Sequence, residues 1–585
     1  MVDITGYVSH LVSEVGIGIG NQIGHLSISE AIIFDIAVIL IVSTMLAFVA
    51  KMLRQPLIPA YVLTGLILGP LVLGFVQNME LIAAFSEIGI AFLLFVAGLE
   101  ISFKKIKEAN LKKIVMIGFF QVFIIFTIGF YLSSFLGLTS IQAAYIAIIL
   151  AFSSTMVDIK LLADRGELVT LHGRLVLGIL LLQDLVAIVA IVFFRTGAFE
   201  VMALTVSFVK LVAILAVALF LQKFVLRRIF RFAARSTELL FLSSLAVLFF
   251  FIILSYLFGL SIIIGAFIAG VSLANSKFKT ELESRVSPLR DFFAILFFVA
   301  LGMQIVFTGV GEMLGLFFLL LLGALILKPI LNILLLRAAG YKARTSFLTA
   351  ISLAQLSEFS LIIGILGVSL GVISTSMFST IILATIITIA ITPYFIDYKD
   401  RIYKVFEYPM SLFKFFPVKE KSEHKSDKRK EVLLIGAHRT GGVLLEKLLR
   451  EKEKLLVVDY NPEIINSLIK KDISCVYGDI SSPELIHKVL NKNLKLVIST
   501  IPGFEENLHL LNMIKRKKPN TKVIVMGARI SETLKLYSKG ADYVITPKVL
   551  AGEELSRAIN PKKQGLKKAK ERHLKRLEKI HRILY

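Results

Sequence analysis

Cysteine is nearly missing from this 585-residue chain, which has only Cys475. A lone thiol excludes a disulfide framework within the chain and any metal site built on cysteine. The nine histidines are scattered and show no ligand spacing. Charged residues are also scarce, at 18% of the chain. The opening MVDITGYVSHLVSEVG has no basic n-region, so nothing there predicts a cleaved signal. A TVGYG-like carbonyl filter is absent too, which argues against a potassium-channel pore.

What the chain has is apolar length. Hydrophobic residues make up 56% of it and its mean hydropathy is +0.81, values that predict a polytopic membrane protein. Apolar runs fill residues 30–398, and the remainder has ordinary soluble composition. The reading divides the chain into an extracytoplasmic segment (1–29), a membrane domain (30–398), a charged linker (399–430), a soluble α/β domain (431–558) and a basic tail (559–585). The net charge of +23 fits basic cytoplasmic loops plus that tail, and with no recognition motif present it does not predict nucleic-acid binding.

Thirteen runs are long enough to cross a bilayer: 31–50, 57–76, 81–101, 113–136, 141–162, 172–195, 201–223, 237–258, 260–275, 290–309, 312–337, 345–370 and 376–397. Basic connections such as KMLRQ, FKKIKEANLKK, KLLADRGELVTLHGR, LQKFVLRRIFRFAAR and NSKFKTELESRVSPLR follow the odd-numbered spans. The alternate connections carry almost no positive charge, which predicts an outside N-terminus and a cytoplasmic C-terminus. An odd count suits one extra helix followed by two repeats of six. Spans 5 and 12 are matched, since AFSSTMVDIK and SLAQLSEFSL both interrupt an apolar run with hydroxyls and an acid. That pairing predicts two broken helices meeting at the midplane, where freed carbonyls can coordinate a cation.

The sharpest anomaly is GILLLQDLVAIVAIVFF, residues 178–194. An ionised side chain at the centre of a span costs at least about 2.5–3.5 kcal/mol, so an acid there is read as functional. Asp184 can hold a proton or a bare monovalent cation, two mutually exclusive occupants of one site. Its neighbour Gln183 is expected in the same ion site as a hydrogen-bonding amide that cannot ionise. One carboxylate per site predicts one-for-one, electroneutral exchange, a count that the other acids Asp158 and Glu358 would alter. Ser154, Thr155 and Asp158 on the first broken helix complete the expected ion site. Lys328, in span 11 beside Pro329, is read as a salt-bridge partner, a gate or a strut, and the proline predicts a kink.

Several segments resemble the monovalent cation:proton antiporter-2 family, and within it the Kef-type potassium/proton antiporters. They are LRQPLIPAYVLTGLILGP (53–70), EIGIAFLLFVAGLEIS (87–102), AFSSTM, LLLQDLVAI, AQLSEFSLIIG (354–364) and, most specific, GLSIIIGAFIAGVSLANSKFKTELESRVSPLRDFFAILFFVALGMQI (259–305). The resemblance implies a dimer with a static dimerisation domain and a moving six-helix core that works by an elevator motion. It also implies Asp184 as the ion- and proton-binding acid, with Thr155 and Ser154 at the helix break. Asp158 departs from the family's usual apolar residue; it either extends the cation site or faces the cytoplasmic vestibule, the second place being favoured slightly.

Beyond the membrane runs, EVLLIGAHRTGGVLLEKLL (431–449) reads as strand, tight turn and helix, and further strands alternate with helical stretches. This predicts a doubly wound Rossmann domain. Gly436 and Gly441 occupy the first and third positions of the glycine fingerprint, with His438 at the second. His438 and Arg439 would add charge beside a phosphate on the helix N-terminus, and Asp459 is placed to hold ribose hydroxyls. The expected ligand is NAD(H) or an adenine nucleotide such as AMP; the alternative is a domain that has lost its ligand and only dimerises. The segment resembles the KTN/RCK regulatory domains of potassium transport systems, and YGDISSPELI (477–486) puts Asp479 where adenosine would lie.

Taken together, these readings predict a secondary antiporter of the cell membrane that exchanges a monovalent cation, foremost K+, for H+ and is regulated by a nucleotide on the Rossmann domain, and not an enzyme. The expected partners are a second copy of the chain through both domains, membrane lipid and an ancillary regulatory subunit. The rivals are a sodium/proton antiporter of the same fold and a ligand-gated potassium channel.

Overall fold

The structure is a computed structural model. It describes the chain apart from residues 1–27, 54, 77–78, 101–110, 166, 196–200, 307–309, 400, 404, 407–422, 425–429, 451–453, 479–484, 486–488, 491–492 and 559–585. The N-terminal segment, most of the linker, the basic tail and Asp479 therefore lie outside the described residues. Two compact units emerge, one built from the chain up to Val418 and one from Lys419 onward, with Val169–Leu171 assigned to the second.

Among the described residues, the regular elements of the first unit are all helices. Its elements run α1 (Ile28–Met52), α2 (Ile58–Leu68), α3 (Met79–Glu100), α4 (Leu111–Phe135), α5 (Ser140–Ala151), α6 (Thr155–Asp164) and α7 (Leu171–Arg195). They continue with α8 (Val201–Leu221), α9 (Arg227–Ala233), α10 (Thr237–Leu257), α11 (Ile262–Leu273), α12 (Lys279–Met303) and α13 (Val310–Leu322). The last four are α14 (Lys328–Ala338), α15 (Ala343–Ser352), α16 (Glu358–Ser369) and α17 (Thr375–Asp397). Each of the thirteen expected spans contains helix. Among the described residues, nine helices are long and apolar enough to cross a membrane, and four shorter apolar helices accompany them.

Burial separates inner from outer helices. The α5–α6 pair buries 72% of its most apolar window inside the protein, whereas α1 buries 17% and presents its apolar side chains outward. On α10, Leu242, Phe249, Phe250, Ile253 and Leu257 are likewise exposed, which suits lipid as the solvent. Inner helices need close contact instead. Where α3 meets α11, a Cβ on Gly98 would lie 2.4 Å from the Phe267 carbonyl, and one on Gly270 would lie 2.1 Å from that of Phe95. Only glycine allows the backbones to touch there.

Two stretches read as loops are helical. Lys279–Leu289 is the first part of α12, held by i,i+4 pairs between Glu281 and Arg285 and between Lys279 and Glu283. Gln222–Leu226 is a π-helical turn that carries α8 into α9. Charge marks a helix as leaving lipid; it does not end the helix. A second π turn, Gly323–Leu327, immediately precedes Lys328 and Pro329 and joins α13 to α14. Proline removes one ladder hydrogen bond and crowds the preceding turn, and a widened turn absorbs that misfit.

The second unit is an α/β sandwich. Strands β1 (Glu423–His424), β2 (Val432–Ile435), β3 (Leu455–Asp459), β4 (Cys475–Tyr477), β5 (Leu496–Ser499), β6 (Lys522–Met526) and β7 (Tyr543–Ile545) form one sheet in the order β1-β4-β3-β2-β5-β6-β7. All neighbours are parallel except the short β1, and the six parallel strands have the doubly wound 3-2-1-4-5-6 order. Helices α18 (Arg439–Arg450), α19 (Pro462–Lys470), α20 (Phe504–Lys517), α21 (Ile530–Ser538) and α22 (Pro547–Ala558) complete it, with an apolar cluster on each sheet face. Cys475 is buried on β4, and burial pushes its thiol up to about 11, so it is inert.

Candidate functional site

Both matched segments are broken helices. Residues 152–154 separate α5 from α6, and residues 353–357 separate α15 from α16. Breaking a helix inside an apolar unit frees backbone groups that must find partners. Ser154 caps α6 by accepting from the Val157 amide at 3.4 Å, and Ser357 caps α16 by accepting from Phe359 at 3.2 Å. The Ser153 hydroxyl crosses to the Leu353 carbonyl at 3.0 Å, and the Ser360 hydroxyl crosses back to Ile149 at 2.7 Å. Thr388 on α17 accepts from the Leu356 amide at 3.2 Å. The hydroxyls that made these segments conspicuous in sequence thus tie the two breaks together.

Lys328 is fully buried, and its ammonium donates to the Phe152 and Gln355 carbonyls, both at 2.6 Å. One carbonyl belongs to each break. Of the three readings given to this lysine, a strut fits these contacts. A cation suits the negative ends of α5 and α15, while the acids Asp158 and Glu358 lie in the first turns of α6 and α16, at their positive ends.

Asp184 lies on α7 and is 7% exposed. The Thr155 hydroxyl, at the head of α6, stands 3.0 Å from each of its carboxylate oxygens. Sequence reasoning grouped these two residues, and the fold joins them. Gln183 has a different position from the one expected. Its Oε1 accepts from the Ser153 amide at 2.8 Å, and its Nε2 donates to Gln121 Oε1 at 2.8 Å. Gln121, on α4, in turn donates to the Ala151 carbonyl at 3.3 Å. The Gln183 amide braces the break, because a freed amide N–H in an apolar interior binds the nearest strong acceptor. Gln121 was missed in sequence; a buried amide in an otherwise apolar span was its only signal.

Asp158 also differs from expectation. It does not face a vestibule; it is fully buried, and Gln355 donates to its Oδ1 at 3.0 Å. The same Gln355 nitrogen reaches the Ser154 carbonyl at 3.2 Å. Glu358 faces the Ser154 hydroxyl and the Met156 amide. The expectation that freed carbonyls stand ready for a cation needs revision as well. Those of Ala151, Phe152, Ser154, Leu353 and Gln355 all accept from protein donors.

At the mouth of the loop between α6 and α7, Glu167 accepts from His172 at 3.1 Å and from Lys399. Arg165 pairs with Asp397 and donates to the Ile396 carbonyl at 3.0 Å. Burial alone would push the Glu167 carboxyl up, but the His172 hydrogen bond and the Lys399 ammonium pull it down to about 2.

In the second unit, the β2–α18 turn is the candidate nucleotide cradle. Gly436 has φ +81°, a left-handed conformation that favours glycine. A Cβ on Gly441 would lie 1.8 Å from the Gly436 carbonyl, so the third fingerprint glycine permits the close packing of helix on turn. His438 is exposed on that turn; the Arg439 side chain lies outside the described residues. Asp459 ends β3, its Oδ2 accepting from Ala437 and its Oδ1 from Asn461, both at 2.7 Å. Burial pushes its carboxyl up, against the pull of those amides. The Tyr460 amide also donates to this carboxylate, which has about four acceptor sites, so capacity for one ribose hydroxyl remains at the end of β3. Among the described residues no cluster of His, Cys, Asp and Glu could hold a metal.

Comparison with known proteins agrees with this architecture. Residues 18–397 match the family described as sodium/hydrogen exchanger, transmembrane, and residues 432–547 match the TrkA-N domain. A glutathione-regulated potassium-efflux system protein KefC from Salmonella schwarzengrund is 28% identical over 495 residues, covering 82% of this chain and 77% of the relative. The KefC protein of Salmonella heidelberg is 29% identical with the same coverage. The sodium proton antiporter MjNhaP1 from Methanocaldococcus jannaschii has a similar fold, with TM-score 0.50 and 19% identity over 66% of this chain and 99% of that one. The chain belongs to the sodium/hydrogen exchanger transmembrane family, as a member of Kef-type architecture with a C-terminal TrkA-N domain.

Proposed function

We propose that this chain exchanges a monovalent cation for protons across the cell membrane, with Asp184 as the group that cation and proton occupy in turn. The observation that carries this reading is the Thr155 hydroxyl set 3.0 Å from both Asp184 oxygens at the head of a broken helix. A deprotonated carboxylate flanked by a hydroxyl offers oxygen ligands to a partly dehydrated cation, and protonation discharges it. Thr155 and Ser154 contribute at the helix break, while Lys328, Glu358 and Gln183 hold it in shape. The family match and the potassium-efflux relatives favour K+, with Na+ as the alternative. Those relatives are transporters, and a transporter is the reading favoured over an enzyme.

The finer reading is an electroneutral elevator cycle in a homodimer, with the N-terminus outside and the TrkA-N domain in the cytoplasm. NAD(H) or AMP on the Gly436–Gly441 turn, with Asp459 toward the ribose, would bias the exchange rate. Reconstitution tests the core of this. Proteoliposomes containing the wild-type chain should acidify or alkalinise their lumen on a K+ or Na+ gradient, and Asp184→Asn should abolish that flux. Persistent cation-driven proton movement in Asp184→Asn would sink the assignment.

A further inference from the structure

Outside the Asp184–Thr155 pair, three buried acceptor oxygens of the first unit are left over where the broken helices cross. Among the described residues, Asp158 Oδ2, Glu358 Oε2 and Gln355 Oε1 have no hydrogen-bond partner, and their residues are 0%, 6% and 0% exposed. The three residues are neighbours. Gln355 donates its amide nitrogen to Asp158 Oδ1 and to the Ser154 carbonyl, which fixes its orientation and leaves Oε1 as a pure acceptor. Glu358 faces the hydroxyl of the same Ser154 and interacts electrostatically with Asp158. Buried polar atoms in native proteins are nearly always satisfied, and each exception calls for an explanation.

Charge points the same way. Lys328 is the cation that Asp158 interacts with, and its contacts go to the Phe152 and Gln355 carbonyls. Two carboxylates against one ammonium leave one negative charge over. A single shared proton would give one donor to three acceptors. A monovalent cation satisfies all three oxygens and balances the charge, whereas a divalent ion would overshoot it.

We propose that the crossing holds a second monovalent cation, bound by Asp158, Glu358 and Gln355 and distinct from the exchanged ion at Asp184. The choice of ion rests on the cation-exchange reading; the existence of the position rests on the unpartnered oxygens. The second ion links α6 to α16 and stays bound while Asp184 alternates between its occupants.

Equilibrium binding of radioactive Rb+ and of radioactive Na+, each alone, to the purified full-length chain in lipid nanodiscs tests this. The expected stoichiometry with the preferred ion is two per protomer in wild type, one in Asp184→Asn, one in Asp158→Asn and none in the double variant. Glu358→Gln should lose the same ion as Asp158→Asn, and the ion retained at Asp184 reports that both variants are folded. One ion per protomer in wild type, unchanged in Asp158→Asn, overturns the second position and leaves the Asp184 reading standing. If Asp184→Asn keeps both ions while Asp158→Asn loses one, the Asp184 reading fails and the second position survives. Loss of all binding in both Asp158→Asn and Glu358→Gln would show a single shared site and overturn the proposal.

Discussion

Replacing Lys328 by methionine keeps the buried alkyl stem and removes only the charged donor. The lysine makes two contacts of 2.6 Å, to Phe152 and Gln355, inside a fully enclosed site. A hydrogen bond involving a charged group contributes about 1.5–3 kcal/mol, so two give a gross loss of about 3–6 kcal/mol. Methionine avoids the ammonium's desolvation, which returns part of this, but two carbonyls and the Asp158 carboxylate lose their partner. Breaking one side of a buried ionic arrangement typically costs about 3–5 kcal/mol. Thermal unfolding of the purified chain should therefore fall by on the order of 5–10 °C in Lys328→Met. The decisive measurement is the cycle with Asp158→Asn. Removing the acid as well relieves an unbalanced charge, so the double variant should be at least about 1 kcal/mol more stable than the sum of the singles. Additive losses, or an unchanged melting temperature in Lys328→Met, would refute the strut.

Three further substitutions probe other parts of the arrangement. Gln183→Leu strands the Ser153 amide and Gln121 Oε1, each costing about 1–3 kcal/mol, so the melting temperature should drop while the cation half-saturation of the folded fraction shifts less than about tenfold. A hundredfold loss of cation affinity with normal melting would make Gln183 an ion ligand instead. Gly441→Ala puts a Cβ 1.8 Å from the Gly436 carbonyl, and it should remove the thermal stabilisation of the full-length chain by NADH or AMP without abolishing basal exchange. An intact nucleotide-induced shift in that variant would contradict the placement of the cradle. For Glu167, a folded-state value near 2 lies below the ordinary 4.5, so its ion pairs stabilise the fold fully above pH 4.5 and lose that effect as pH falls toward 2. Glu167→Gln should lower the melting temperature at pH 7 and much less near pH 3; an equal penalty at both pH values would show that charge is not the cause.

Residue type and spacing carried the fold a long way. Apolar length marked the spans, loop charge gave an orientation to test, and the alternation of β-branched runs with amphipathic stretches marked the Rossmann unit. Hydroxyls in a membrane helix often only mediate packing. Those of AFSSTMVDIK and SLAQLSEFSL announced helix breaks because the two clusters, each with an acid, sit at matched places in the two halves. What could not be read was the pairing between segments far apart in sequence. Gln183 beside Asp184 looked like a second ligand, since adjacency in sequence is the only proximity a sequence displays. On a helix, adjacent residues point about 100° apart, so one meets Thr155 on α6 and the other meets Ser153 and Gln121.

The same blindness hid the role of Asp158. It sits three residues after Thr155, which invited a place beside the ion or in the vestibule, yet its partner Gln355 is 197 residues away on the other break. A buried acid at the positive end of a half-helix is favoured by the dipole wherever it points, so sequence alone cannot tell a ligand from a counter-charge. Geometry separates them by asking where the second oxygen goes. For Asp184 both oxygens meet Thr155, while for Asp158 one meets Gln355 and the other has no hydrogen-bond partner among the described residues. The electroneutral expectation drawn from Gln183 therefore holds only if the Asp158–Glu358 charge stays constant through the cycle. A fixed ion at the crossing supplies that constancy. If Asp158→Asn made exchange depend on membrane potential, the crossing would be part of the transported charge and the one-for-one count would have to be abandoned.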